Sequence, residues 1–290
     1  MSNYVIMTDS AGDLPQSLVE SRNIHVIPMT VTMGDISFPH YPDERNMTSK
    51  EFYEKLRGGA TASTSALNPE QLKEAARPFM EEGKDIIYIG LSSGLTSTIS
   101  SAQVAFSELT EEFPERKAHA VDSLMASFGQ GMFVIMACDK RDEGMEFDEL
   151  CEYLDKKAHE VCAWFTVDDL FHLKRGGRVS AATAIVGSVL NIKPILHVDD
   201  DGHLINVGKA RGRKASIKAL LSQMQESLVE EEKNYVYISH GDCESEAIDL
   251  ANMVKEQLGV SDIKISTIGP VIGAHSGPGT IALFFIGKHR

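Results

Sequence analysis

Short apolar runs alternate with amphipathic stretches through the first half of the chain. Residues 5–8 form an apolar run read as a buried strand, and the Asp9-Ser10-Ala11-Gly12-Asp13 loop then opens a helix at Leu14-Pro15. A second strand, rich in β-branched residues, is predicted over 24–31. Asn68 as N-cap and Pro69 in the first turn predict a helix over 69–82. The unbroken apolar run at 85–89 has the pattern of a strand buried on both faces. A helix from 98 to about 107, a strand at 118–121 and helices over 126–138 and 147–159 follow. Strands alternating with helices imply parallel pairing and a doubly wound sheet.

Beyond residue 160 the rhythm changes. A strand at 161–167 precedes a short helix over 170–175 that stops at Gly176-Gly177. Runs at 194–198 and 204–207 flank Asp199-Asp200-Asp201-Gly202, a hairpin signal. A helix over 214–231, strands at 235–239, 263–267 and 281–286, and a helix over 244–258 complete a mixed pattern. The expected architecture is therefore α/β in two domains. Residues 1–160 form a parallel doubly wound sheet, residues 161–290 form an α+β domain, and a cleft lies between them.

Composition narrows the classes. With 290 residues, 42% hydrophobic and 24% charged, the chain can bury two ordinary cores and stay in solution. No run of eighteen apolar residues suits a bilayer span, and residues 1–7 lack the basic region and cleavage site of an export signal, so a cytoplasmic location is expected. Cys138, Cys151, Cys162 and Cys243 are scattered and read as small buried hydrophobes; no metal site or cofactor is expected. The net charge of −14 disfavours nucleic acid as a partner. Against that charge, Lys174, Arg175 and Arg178, then Lys209, Arg211, Arg213 and Lys214, form a local basic patch suited to an acidic partner or to phosphate groups.

Three loops could carry chemistry. Gly90-Leu91-Ser92-Ser93-Gly94-Leu95-Thr96-Ser97-Thr98 sits between a buried strand and a helix, at the carboxyl end of a parallel sheet, where such sheets bind ligands. Its hydroxyls and free amides suit an anion. The same segment matches G-x-S-x-G, so Ser92 could also be the nucleophile of a serine hydrolase, with His240 or His275 downstream. No triad acid can be singled out, and an anion-binding regulatory module is a third reading. A second hydroxyl cluster, Thr61-Ala62-Ser63-Thr64-Ser65, is read as a loop that could surround the same anion. Finally, His275 lies in a glycine-rich loop spanning 269–279, where the backbone can approach a ligand closely.

Taken in order, these motifs resemble the DegV family along essentially the whole chain. The resemblance runs through Thr8-Asp9-Ser10 with Asp13-Leu14-Pro15, Thr64-Ser65, Ser92-Ser93-Gly94-Leu95, and Val121-Asp122-Ser123 with Gly129-Gln130-Gly131. It continues with Leu173-Lys174-Arg175-Gly176-Gly177-Arg178, Lys193-Pro194-Ile195, Lys209-Ala210-Arg211 and Ile268 through His275. Residues 39–46 carry none of these motifs. The resemblance implies two α/β domains enclosing a long-chain fatty acid, and a carrier rather than an enzyme: the fatty-acid-binding subunit of a bacterial fatty acid kinase. By that likeness Thr64 and Ser93 hydrogen-bond the carboxyl group, with Ser92, Ser65 and His275 also in the carboxylate-binding set. Arg211 and His275 lie near the carboxyl mouth and serve phosphoryl transfer or kinase recognition, and Arg178 contacts the partner. Such a carrier exchanges lipid by transient membrane contact. Burying sixteen carbons at about 0.8 kcal/mol per methylene supplies on the order of 10 kcal/mol before association costs.

Overall fold

The computed structural model describes residues 3–179 and 191–288. Strand β1 (Tyr4–Asp9) is buried at all six positions and pairs in parallel with β2 (His25–Ile27) on one side and β6 (Asp85–Gly90) on the other. Strand β7 (Ala118–Asp122) extends the sheet, giving the all-parallel order β2-β1-β6-β7. The continuous apolar character of 85–89 follows from this central position, since both faces are covered.

The stretch expected to be one strand over 24–31 is two. Pro28 cannot donate to a ladder, and the chain turns there into β3 (Thr30–Met33), which belongs to a separate antiparallel sheet. That sheet has the order β4-β3-β5, with β4 spanning Ile36–Pro39 and β5 spanning Ala62–Ser65. The hydroxyl cluster read as a loop is thus a strand: Thr30 pairs with Ser65 and Val31 with Thr64.

The third sheet is mixed, in the order β10-β9-β8-β13-β11-β12. Its members are β8 (Val161–Thr166), β9 (Ile192–Val198), β10 (Leu204–Arg211), β11 (Val236–His240), β12 (Lys264–Thr267) and β13 (Ile281–Ile286). Among the described pairings of this sheet only β11 and β12 run parallel.

Helix α5 (Phe128–Asp142) fills the space between the parallel sheet and the mixed sheet. It is buried from Phe128 through Cys138, and one apolar cluster joins Ile6, Ile87 and Ile89 to Phe133, Phe165 and Phe284. Two glycines permit this double contact. A Cβ on Gly129 would lie 2.5 Å from the Phe284 ring, and one on Gly131 would strike the Gly12 carbonyl. Between them Gln130 Nε2 donates to Thr8 Oγ1 (3.0 Å) and Asp9 Oδ1 (3.1 Å). On the outer faces, α3 (Pro69–Glu81) and α4 (Thr98–Glu112) cover the parallel sheet. Helices α8 (Arg213–Ser227) and α9 (Glu244–Leu258) cover the mixed one. The expected mixed α/β architecture, with a parallel sheet first and a separate sheet with helices after it, is what the chain adopts.

Candidate functional site

The carboxyl end of the parallel sheet is held by buried polar groups. Asp9 accepts from the Tyr88 hydroxyl (2.6 Å) and from the amides of Ala11 and Leu91, with no cation among these partners. Its burial raises its pKa. Four residues on, Asp13 adopts a left-handed conformation (φ 48°) and accepts from Ser127 Oγ (2.6 Å) and the Gly269 amide (2.9 Å). Burial drives the Asp13 carboxyl up to about 8, against the lowering effect of those two bonds. Ser127 itself has φ 56° and ψ −147° at the start of α5, an unusual conformation for a residue with a Cβ.

Above this floor, the glycine-rich stretch expected as a loop contains a helix, α10 (Pro270–Ser276). Gly269 and Gly273 make it possible. A Cβ on Gly273 would meet the Tyr53 hydroxyl at 2.7 Å, and one on Gly269 would lie 2.5 Å from His40 Nε2. The C-terminal end of α10 crosses α7 (Phe171–Arg175) through two reciprocal glycine–histidine contacts. Gly176 lies against His275 and Gly277 against His172, each too close to leave room for a Cβ.

These elements enclose a cavity of about 90 Å³, lined on one side by Leu91, Leu95 and Ala126 and on the other by Phe165, Val198 and Phe284. A site for one water takes roughly 10–15 Å³ and two to four polar partners. The cavity has the room for several waters but mostly apolar walls, so an apolar occupant suits it better. Arg178 is the only Asp, Glu, Lys or Arg on its lining among the described residues.

Thr64 and His275 meet on this lining, with Thr64 Oγ1 and His275 Nε2 2.8 Å apart. Nδ1 of the same ring is buried without a partner, facing Gly176. Burial, and secondarily the positive charge of Arg178, lower the His275 pKa to about 4, so the ring is neutral near pH 7. Arg178 Nη1 donates to the Gly176 carbonyl. A neutral imidazole, a hydroxyl and a guanidinium therefore share one wall of an otherwise apolar space, which is an arrangement suited to a carboxylate on a hydrocarbon chain.

The other expected residues lie elsewhere. Ser65 is exposed, because successive residues of β5 point to opposite faces and Thr64 takes the inward one. Ser92 is fully buried, but its hydroxyl donates to the Gly202 carbonyl (2.9 Å) and accepts from the Gly94 amide. It docks the β9–β10 hairpin, and neither His240 nor His275 bonds to it. Ser93 is exposed, with its amide donating to the Asp122 carboxylate. Arg211 is exposed at the end of strand β10, away from the cavity lining.

Thr96, from the hydroxyl-rich loop, lines the cavity as well. Two further lining groups had no individual role assigned from sequence: Ser127, and Ser276, whose Oγ is buried without a partner. Ser276 directly follows His275, and Ser127 precedes Gly129-Gln130-Gly131, so both adjoin motifs visible in the sequence. The direction of their side chains was not. Among the described residues no group of three His, Cys, Asp or Glu side chains could hold a metal ion, and no helix is long and apolar enough to cross a membrane.

A parallel sheet and a mixed sheet with an apolar cavity between them, polar on one wall, define an α/β protein with an amphipathic pocket. Comparison with known proteins gives the family. A model described as an uncharacterised protein family, DegV, matches residues 3–288. A DegV domain-containing protein of Clostridium perfringens is 40% identical over 290 residues, covering 100% of this chain and 99% of that protein. The crystal structure of a DegV lipid binding protein from Thermotoga maritima matches with a TM-score of 0.85 at 30% identity and covers 100% of both chains. A DegV family protein from Thermus thermophilus, whose structure is described as binding fatty acid, matches with a TM-score of 0.85 at 28% identity, covering 98% and 99%. The chain belongs to the DegV family.

Proposed function

We propose that this protein binds a long-chain fatty acid, with the acyl chain in the cavity and the carboxylate on the wall formed by Thr64, His275 and Arg178, and that it presents this carboxyl group to a partner kinase. One observation carries the binding reading: an apolar void whose lining, among the described residues, holds a single Asp, Glu, Lys or Arg, the Arg178 guanidinium, beside the bonded Thr64–His275 pair. The relatives from Thermotoga maritima and Thermus thermophilus, described as binding lipid and fatty acid, support it. The kinase step rests on the resemblance of the motifs, and on an exposed Arg211 that makes no contact with the cavity and is free to meet a partner. A serine hydrolase centred on Ser92 fits poorly, since that hydroxyl is buried and occupied.

The test is mass spectrometry of an organic extract of the purified, denatured protein. We expect near-stoichiometric fatty acid from the native chain. Thr64→Val, which removes a bond to a charged group worth about 1.5–3 kcal/mol, should weaken binding roughly tenfold or more. Arg211→Glu should leave the extracted lipid unchanged and abolish its phosphorylation by the partner kinase. An empty extract after incubation with a fatty-acid mixture would overturn the binding reading; undiminished phosphorylation of Arg211→Glu would remove Arg211 from the docking surface.

A further inference from the structure

A second pocket opens on the far side of Asp13 from the lipid cavity. Three segments wall it: Asp13 to Gln16 after β1, His40 to Ser49 between β4 and helix α2 (Ser49–Arg57), and Ile265 to Gly269 between β12 and α10. Its volume is about 330 Å³, and its character is the reverse of the first cavity. Among the described residues the walls carry two carboxyl groups, Asp13 and Glu44, together with the hydroxyls of Ser49, Ser266 and Thr267, and no lysine or arginine.

Most of these groups are partly committed. The Asp13 carboxyl accepts from Ser127 and Gly269, Ser266 donates to the Asp13 carbonyl (2.7 Å), and Ser49 donates to Glu44. His40 is different. Its side chain belongs to a residue only 6% exposed, yet its ring makes no hydrogen bond among the described residues. Nε2 and the Asp13 carboxyl oxygen Oδ1 both lie against Gly269 on the pocket wall. The His40 ring nitrogens are not sealed in the core but keep contact with solvent, and an imidazole with no protein partner on this polar wall marks a place for a ligand donor.

We propose that this pocket is a binding site for a small organic cation, a protonated primary amine, held by Glu44 and the free nitrogen of His40 with Asp13 behind them. An ammonium group offers three donors and no acceptor. It fits a lining that offers the Glu44 carboxylate, the Asp13 carboxyl, which burial raises to about 8 so that it contributes acceptor oxygens rather than charge near pH 7, and an imidazole that stays neutral because burial lowers its pKa to about 4. An anion would meet the Glu44 carboxylate with no lysine or arginine on the lining among the described residues to offset it. A bare metal ion fits less well, because no set of three ligating side chains converges among the described residues. The volume also exceeds what one desolvated ion fills. The site joins His40 and Glu44, from the segment that carries none of the family motifs, to Asp13 and Gly269, which lie within those motifs.

The test uses the full chain with its lipid bound and follows the histidine ring signals by nitrogen-15 NMR during separate titrations with ethylammonium, ethanol, acetate and magnesium ion at constant ionic strength. We expect ethylammonium alone to shift the His40 signals saturably. We also expect Glu44→Gln to weaken that response at least tenfold while leaving the extracted lipid unchanged. A saturable shift with acetate, or with magnesium in place of the amine, would overturn the assignment. So would the absence of a saturable response to ethylammonium, which would make the pocket a water-filled cleft, or an undiminished response in Glu44→Gln.

Discussion

Asp13 is a buried carboxyl whose ionisation bears directly on the fold. An ordinary aspartate titrates near 3.9, whereas burial holds Asp13 near 8, so the native state keeps a proton that the unfolded chain has released between those values. Its contribution to stability is fully present below about pH 4 and is lost as pH rises to about 8. Asn at this position cannot ionise. The urea midpoint of Asp13→Asn should therefore fall less than that of the parent between pH 5 and pH 8; parallel curves would show that Asp13 is not the group responsible. His40 and His275 work in the opposite sense, since their pKa values of about 4 lie below the usual 6.5 and cost stability as pH falls through that interval. At this scale the sequence was a partial guide. Thr64 and His275 could be picked out by residue type and setting, but choosing between Thr64 and Ser65 requires knowing which face of a strand each occupies. Ser92 looked catalytic or ligand-binding because a hydroxyl in a loop carries no label saying which carbonyl it will meet.

Elements were legible where their boundaries are built from local chemistry. Helix α3 begins as expected because Asn68 accepts from the Gln71 amide (2.9 Å) while the Gln71 side chain accepts from the Asn68 amide, with Pro69 at the first helical position. The hairpin around Asp199 was legible for the same reason: the Asp199 side chain accepts from the amides of Asp201 and His203. Helix α10 was not, because its glycines serve contacts with Tyr53 and His40 that are distant in sequence, and glycine in isolation signals a loop. Helix α2, capped by Thr48, went unrecognised as well. The docking of the hairpin on the Ser92 loop follows the same logic. Gly94 touches the backbone of Asp201 and Gly202, and a Cβ there would lie 2.8 Å from both carbonyl oxygens. Gly94→Ala should cost about 1–3 kcal/mol through overpacking, measured as a lower midpoint of chemical unfolding. An unchanged midpoint would mean the hairpin is not seated on this loop.

At the scale of the whole molecule, the alternation of strands and helices predicted the parallel sheet, and the change of rhythm near residue 160 predicted the different sheet after it. The cavity between them was invisible, because the residues that line a tunnel and those that fill a core are the same types. Phe165 and Phe284 belong both to the central apolar cluster and to the cavity wall. A void of this kind also makes the fold compressible in a way a filled core is not. Unfolding collapses empty space, and 90 Å³ per molecule corresponds to on the order of 50 mL/mol, within the range that governs unfolding under hydrostatic pressure. The delipidated protein should therefore unfold at lower pressure than the lipid-loaded one, by a margin that grows as the void is left emptier, which high-pressure fluorescence of Trp164 can follow. Pressure then becomes a gauge of occupancy: for this chain, how full the molecule is decides how hard it can be squeezed.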